Sequence, residues 1–364
     1  MSQQSPTTGR VARERFGTTP AGEAVEAFTL ENAAGARLQV LTFGAVVRSL
    51  LVPDAAGRLA DVVLGYDTLD AYRADGFYLG ALIGRHANRI AYGRFELNGE
   101  RYQLAQNNGP HNLHSGPRGF DKVVWQAEVV ERLGAPALAL RYTSPDGDQG
   151  FPGTLRARVV YTLTAANELV VEYAATTDRA TPVNLTQHSY FNLAGAGRGD
   201  VLAHRLTLHA DAFTPVDETA IPAGSVAAVQ GTPLDFTRPR AIGERLHDDH
   251  PQLRNAQGYD HNFVLRGEPG TLRLAAHVHE PTSGRTLEVL TTEPGVQFYS
   301  GNFLDGTPGK DGIPYARHAG FCLETQHFPD SLHHPEFPSV VLRPGERYAS
   351  ATVFRFATAD GLTG

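Results

Sequence analysis

The chain is poor in sulfur, in long apolar runs and in surplus positive charge. Its 364 residues include one cysteine, one methionine and one tryptophan. A single cysteine, Cys322, excludes an intramolecular disulfide and a cysteine-based zinc centre. It stands between Phe321 and Leu323, which reads as a small buried hydrophobe and not as a nucleophile. No apolar run approaches the ~18 residues of a membrane span. The opening MSQQSPTTGRVARERF lacks the apolar stretch of a secretory leader, so the expectation is a cytoplasmic protein with no membrane partner. Lys and Arg number 32 against 39 Asp and Glu, a net charge of −7, which argues against a nucleic-acid partner.

Turn formers are plentiful. The 38 glycines and 23 prolines are spread along the chain and not pooled in a linker, the pattern of many strands joined by many turns. Arg156 to Thr164 alternates, with Ala157, Val159, Tyr161 and Leu163 on one face. A turn at Ala166-Asn167-Glu168 returns the chain as Leu169 to Thr176, which makes a hairpin. Leu38 to Leu51, Leu138 to Tyr142, Leu272 to His277, Thr286 to Thr291 and Tyr348 to Phe356 read as further strands. Helical patterns are short, at about Thr68 to Ala74 and Arg240 to Leu246. Without βαβ alternation or a solenoid repeat, the fold class expected is all-β, a large β-sandwich with few short helices. With 41% hydrophobic residues there is ample core. All-β chains of this length often form one unit, so residues 1–364 are expected as a single domain with a flexible start over about 1–10.

Six segments carry groups able to do chemistry. LETQHFPD, 323–330, puts the carboxylate of Glu324 behind an apolar run, and NLTQHSYFNL, 184–193, sets His188 among β-branched and aromatic residues. A fixed Glu and a fixed His can serve as base and acid near neutral pH. GRHANRI, 84–90, brings Arg85, Asn88 and Arg89. NNGPHNLHSG, 107–116, is a turn-rich loop with His111 and His114. GYDHNF, 258–263, offers Asp260 beside His261, and GVQFYSGNF, 295–303, offers Gln297 and Tyr299. Amides, guanidinium and carboxylate to pair hydroxyls, with an aromatic face for the C–H side, form the lining a sugar needs.

Each has a bland reading beside the functional one. His188 alone is a core histidine, Glu324 a carboxylate at a strand end, and Arg85 and Arg89 two surface cations. His114 and Asp260 could hold turns, and Gln297 could bond across strands. The pair His333-His334 and the run Asp248-Asp249-His250 read as solvated loop.

Taken together and in order, the segments resemble the aldose 1-epimerase (galactose mutarotase) family from about Phe16 to Phe356. GRHANRI, NLTQHSYFNL and LETQHFPD are long and specific, and Asp61-Val62-Val63-Leu64-Gly65-Tyr66 and Gly119-Phe120-Asp121-Lys122 add to them. The resemblance implies a sandwich of the galactose mutarotase type with no cofactor, no metal and a free aldose as small-molecule partner. It also implies that His188 is the general acid and Glu324 the general base. Arg89, His114, Asp260 and Gln297, with Asn88 beside them, would contact sugar hydroxyls. One departure stands out: Ser115-Gly116 follows His114 where the family usually has Gly-Gly. For the imidazole to act as an acid, a carboxylate such as Asp260 or Glu324 itself is expected to favour its charged form. The competing readings are a glycosidase using Glu324 and Asp260, a metal enzyme using His111, His114, His188 or His261, a non-catalytic sugar-binding module, and a phosphosugar epimerase.

Overall fold

Alternation along Leu155–Leu163 buries Ala157, Val159, Tyr161 and Leu163 in the main core, and Asn167, at φ +57, makes the turn into Glu168–Thr177. This hairpin supplies the third and fourth strands of the chain's largest sheet. The computed structural model describes residues 9–359 except Leu133. Most of the expected flexible start lies outside the described residues, while Arg10 already begins a strand.

The largest sheet has nine antiparallel strands. Gln126–Arg132, Ala135–Ser144, Leu155–Leu163 and Glu168–Thr177 run up and down in sequence order. The C-terminal Tyr348–Thr358 then lies between Glu168–Thr177 and Arg285–Thr291, followed by Arg273–His279, Arg205–Leu208 and Arg240–Ala241. A five-stranded meander is built from residues 10–61. A second five-stranded sheet orders Ala227–Ala228, Ala210–Phe213, Asp260–Leu265, Gly295–Tyr299 and Cys322–Gln326. One apolar cluster draws on all three sheets: Leu38 and Leu50 from the first, Val159 and Val289 from the nine-stranded sheet, Phe263 and Leu323 from the last. Sheets sharing one core in this way are the all-β layering expected from the turn-rich pattern.

The expected elements are largely present, with two corrections. Leu38 to Leu51 is not one strand but the pair Arg37–Leu41 and Val47–Pro53. The break sits at Gly44, where φ is +64 and a Cβ would come within 2.5 Å of the Asp121 carbonyl oxygen. Arg240 to Leu246 is a short strand followed by a 3-10 turn over Ile242–Arg245 and not an α-helix. Helix α1, Leu69–Ala74, forms as expected, with the Thr68 hydroxyl accepting from the Ala71 N–H. A second helix, α2 (Pro251–Ala256), follows the Asp248-Asp249-His250 loop, and the His250 ring caps it. No helix among the described residues is long and apolar enough to cross a membrane.

Four strands carry the site: β1 (Thr186–His188), β2 (Asp260–Leu265), β3 (Gly295–Tyr299) and β4 (Cys322–Gln326). The antiparallel register across β2, β3 and β4 aligns Asn262, Gln297 and Glu324 in one row and Asp260, Tyr299 and Cys322 in the next. A strand's period of two sends these rows to one face. Phe263, Val296, Phe298 and Leu323 go to the other, which is core. A sheet built on apolar residues thus presents an almost wholly polar face.

Candidate active site

The polar face of β2–β4 floors a cavity of about 240 Å³ lined by Asn88, Arg89, His114, His188, Asp260 and Glu324, with aromatic walls from Tyr78, Tyr190, Tyr299 and Phe303. That volume is below the roughly 300–1,000 Å³ typical of drug-sized ligands and suits a small polar ring. β1 pairs with Ala81–Ile83 and delivers His188 over β4. The His188 Nε2 lies 3.5 Å from Glu324 Oε2, and its Nδ1 lies 3.6 Å from the Cys322 sulfur. The ring therefore bridges residues i and i+2 of one strand. Tyr190 stacks on it at 5.2 Å.

The loops opposite are held just as closely. Asn88, at φ +61, donates its N–H to His114 Nδ1 at 3.1 Å and accepts the His114 N–H on its carbonyl at 3.0 Å. Because His114 Nδ1 accepts, the neutral ring carries its proton on Nε2 as a donor. Ser115, the departure from the family pattern, sits at φ +69, where glycine is easier. Its hydroxyl compensates by accepting from the His86 N–H at 2.8 Å, and His114 keeps its bonds to Asn88. Arg89 donates Nε to Asn108 at 3.0 Å and sets a guanidinium nitrogen 3.8 Å from Asp260. Gln297 does not line the cavity; it stands behind Asp260 and donates to it at 2.7 Å.

Burial governs the electrostatics. Glu324 is 2% exposed, and its Oε2 has no hydrogen-bond partner. Desolvation, aided by the charge of Asp260 and opposed by Arg89, raises its carboxyl well above the usual range. Desolvation also lowers His188 to about 4 and pushes His114 well down. The expectation that a carboxylate holds His188 charged is therefore corrected. The nearest carboxyl, Glu324, is itself driven toward its neutral form, and the Nδ1 side faces a thiol.

The sequence profile of the aldose 1-epimerase family matches residues 26–355. The chain belongs to the aldose 1-epimerase family. This epimerase is 49% identical over 351 residues to a galactose mutarotase of Bos taurus, covering 96% of the chain and 99% of that relative. It is 42% identical over 339 residues to an aldose 1-epimerase of Escherichia coli, covering 93% of the chain and 96% of that relative. Among solved structures, a galactose 1-epimerase from Lactobacillus acidophilus superposes with a TM-score of 0.85 at 27% identity, covering 96% of the chain and 99% of that structure.

Several residues of the epimerase sit elsewhere than their sequence suggests. Arg85 is not a surface cation. It is buried and donates to Ser144, Pro145, Pro152, Gly153 and Thr181, clamping loops away from the cavity. His111 bonds Tyr92 and Thr219, and His261 faces the core side of β2, so neither joins the cavity. His333 and His334 are not simply solvated. Both approach the buried Asp330 carboxylate, at 2.6 and 3.6 Å, and Asp330 bonds the Arg89 carbonyl and the Ala91 N–H. Among the described residues one cluster could hold a metal: His114, His188 and Glu324, with ligand atoms within 4.8 Å of one another. Two imidazoles and a carboxylate are a donor set zinc accepts. The aromatic walls Tyr78, Tyr190 and Phe303 were missed in the sequence, where aromatics in a strand-rich chain read as core.

Proposed function

We propose that the protein interconverts the α and β anomers of free aldoses through one acid–base pair, His188 and Glu324, and that residues 1–364 act as one unit. The observation that carries this is the 3.5 Å approach of His188 Nε2 to Glu324 Oε2 inside a cavity lined by polar side chains and aromatic walls. The single-unit reading is supported by a cavity that draws residues from Gly76 through Glu324.

Mutarotation removes the proton on O1 and adds one to the ring oxygen O5 as the C1–O5 bond breaks and C1 becomes a carbonyl, and it reverses these changes after rotation about C1–C2. Glu324 as carboxylate takes the first proton and His188 as imidazolium supplies the second. The pair then stands as carboxylic acid and neutral imidazole. These two states hold the same number of protons, so the pair titrates as a unit. Burial raises Glu324 and lowers His188, which favours the second state. The charged pair is therefore the minor state; ring opening annihilates its two buried charges and ring closure regenerates them. His114 offers an Nε2–H donor, Arg89 a cationic fork and Asp260, braced by Gln297, an acceptor for the remaining hydroxyls. Tyr190 and Tyr299 give the C–H faces an aromatic wall.

Polarimetry of freshly dissolved α-galactose and α-glucose tests the proposal. Drift to the same final rotation, accelerated in proportion to protein, is expected. A drift rate indifferent to protein with every common aldose would overturn it.

A further inference from the structure

Cys322 is the only side-chain hydrogen-bond partner of His188 Nδ1 among the described residues, with its sulfur 3.6 Å away. It is fully buried, two residues from Glu324 on the same face of β4, so one strand meets both nitrogens of the imidazole. The other faces of the ring meet Tyr190, His114 and Tyr78 through their rings, at 5.2, 5.3 and 5.8 Å. Among the described residues, positions 322 and 324 supply the side-chain atoms beside the nitrogens, and the backbone at His188 also bonds the ring.

We propose that Cys322 is a positioning residue for His188: its sulfur accepts the Nδ1–H and so keeps the exchangeable proton on Nε2. The requirement follows from the proton cycle. Nε2 gives a proton to O5 on ring opening and must receive it back on closure, so the neutral ring needs its lone pair on Nε2 and its retained proton on Nδ1. Were the neutral ring protonated on Nε2, it could not take the proton back. A thiol suits the place because it is a weak acceptor. It orients the ring without adding charge, whereas a carboxylate would fix the same tautomer and also hold the imidazolium charged. Burial, together with the charges of Glu324 and Asp260, keeps the sulfur protonated.

This inference rests on His188 as the acid, and the experiment separates the two. Cys322→Ala, Cys322→Ser and His188→Gln are compared with the parent by nitrogen-15 NMR of the His188 ring and by the pH profiles of kcat and KM. The parent is expected to show the Nδ1–H tautomer. Cys322→Ala should shift the neutral ring toward Nε2–H and lower kcat about tenfold, the smaller end of what losing the outer partner of a functional histidine costs, with KM little changed. Cys322→Ser, a stronger acceptor, should restore the Nδ1–H tautomer and most of the kcat, and move the acid limb to higher pH. Glu324, His114, Tyr78 and Tyr190 are the same in the parent and both Cys322 variants, so a moved limb reports position 322. An unchanged tautomer in Cys322→Ala overturns the proposal. So does an equal loss in both Cys322 variants with the acid limb unmoved, which would mean packing alone. Full activity in His188→Gln would instead remove the assignment of His188.

Discussion

At the scale of the residue, the site is two titratable groups displaced in opposite directions by the same cause. His188→Gln and Glu324→Gln should each lower kcat by ~10²-fold or more, because each removes one of two obligatory proton transfers. A kcat within a few-fold of the parent in either variant would contradict that residue's role. The pH profile follows from the same shifts. Below about pH 4, where His188 gains its proton, the pair holds two protons and lacks a base. Above the raised value of Glu324 the pair holds none and lacks an acid. Activity should therefore rise through about pH 4 and fall as pH rises through the raised Glu324 value, with both limbs belonging to the pair. A rising limb near the ordinary His value of ~6.5, in place of one near 4, would argue against it. Stability gives an independent reading. A Glu whose folded pKa is raised costs stability above its unfolded value, since the folded chain must keep a proton that the unfolded one releases. Glu324→Gln should melt higher than the parent at pH 7, and the gap should close toward pH 4. An equal gap at both pH values would mean that Glu324 is not perturbed as described.

At the scale of the element, β2, β3 and β4 hold a polar face on an apolar base, and the loop after Arg89 is tied to Asp330. Asp330 receives the Ala91 N–H at 2.8 Å and His333 Nδ1 at 2.6 Å. Its bond raises the His333 pKa, so that contact is complete below the ordinary His value and fades as pH rises through the raised one. Asp330→Ala should cost roughly 1–3 kcal/mol, the price of an unsatisfied buried partner, and should raise KM more than it lowers kcat, because Arg89 moves while His188 and Glu324 do not. Denaturant unfolding and steady-state kinetics check both; a fall in kcat at constant KM would contradict the positioning argument. This coupling was illegible in the sequence, where His333-His334 looks like polar loop. Nothing local shows that Asp330, at φ +56, turns its carboxylate inward. By contrast, the Leu155–Leu163 hairpin was legible because strict alternation needs no partner to be recognised. Leu38 to Leu51 misled because its apolar run continues through the Gly44 turn.

At the scale of the whole molecule, the architecture and the chemistry were legible for different reasons. Turn spacing and alternation indicate stacked sheets, and three long motifs bring Glu324, His188, Asn88 and Arg89 to one cavity. Burial was not legible. The direction of the His188 shift depends on Tyr78, Tyr190 and Cys322 closing around it, and these belong to distant segments or read as core. The three-ligand cluster His114, His188 and Glu324 makes one further check necessary. Activity should survive exhaustive chelation, and loss with EDTA restored by a single divalent metal would replace the acid–base scheme with a metal one. The most direct measurement of the central claim follows free β-galactose and methyl β-galactoside in parallel by proton NMR at the anomeric position. A methyl group on O1 leaves Glu324 no proton to remove, whereas a glycosidase would protonate that oxygen and release the alcohol. Exchange of the free sugar with the glycoside untouched is the expected result; methanol released at a rate comparable to anomer exchange would contradict it.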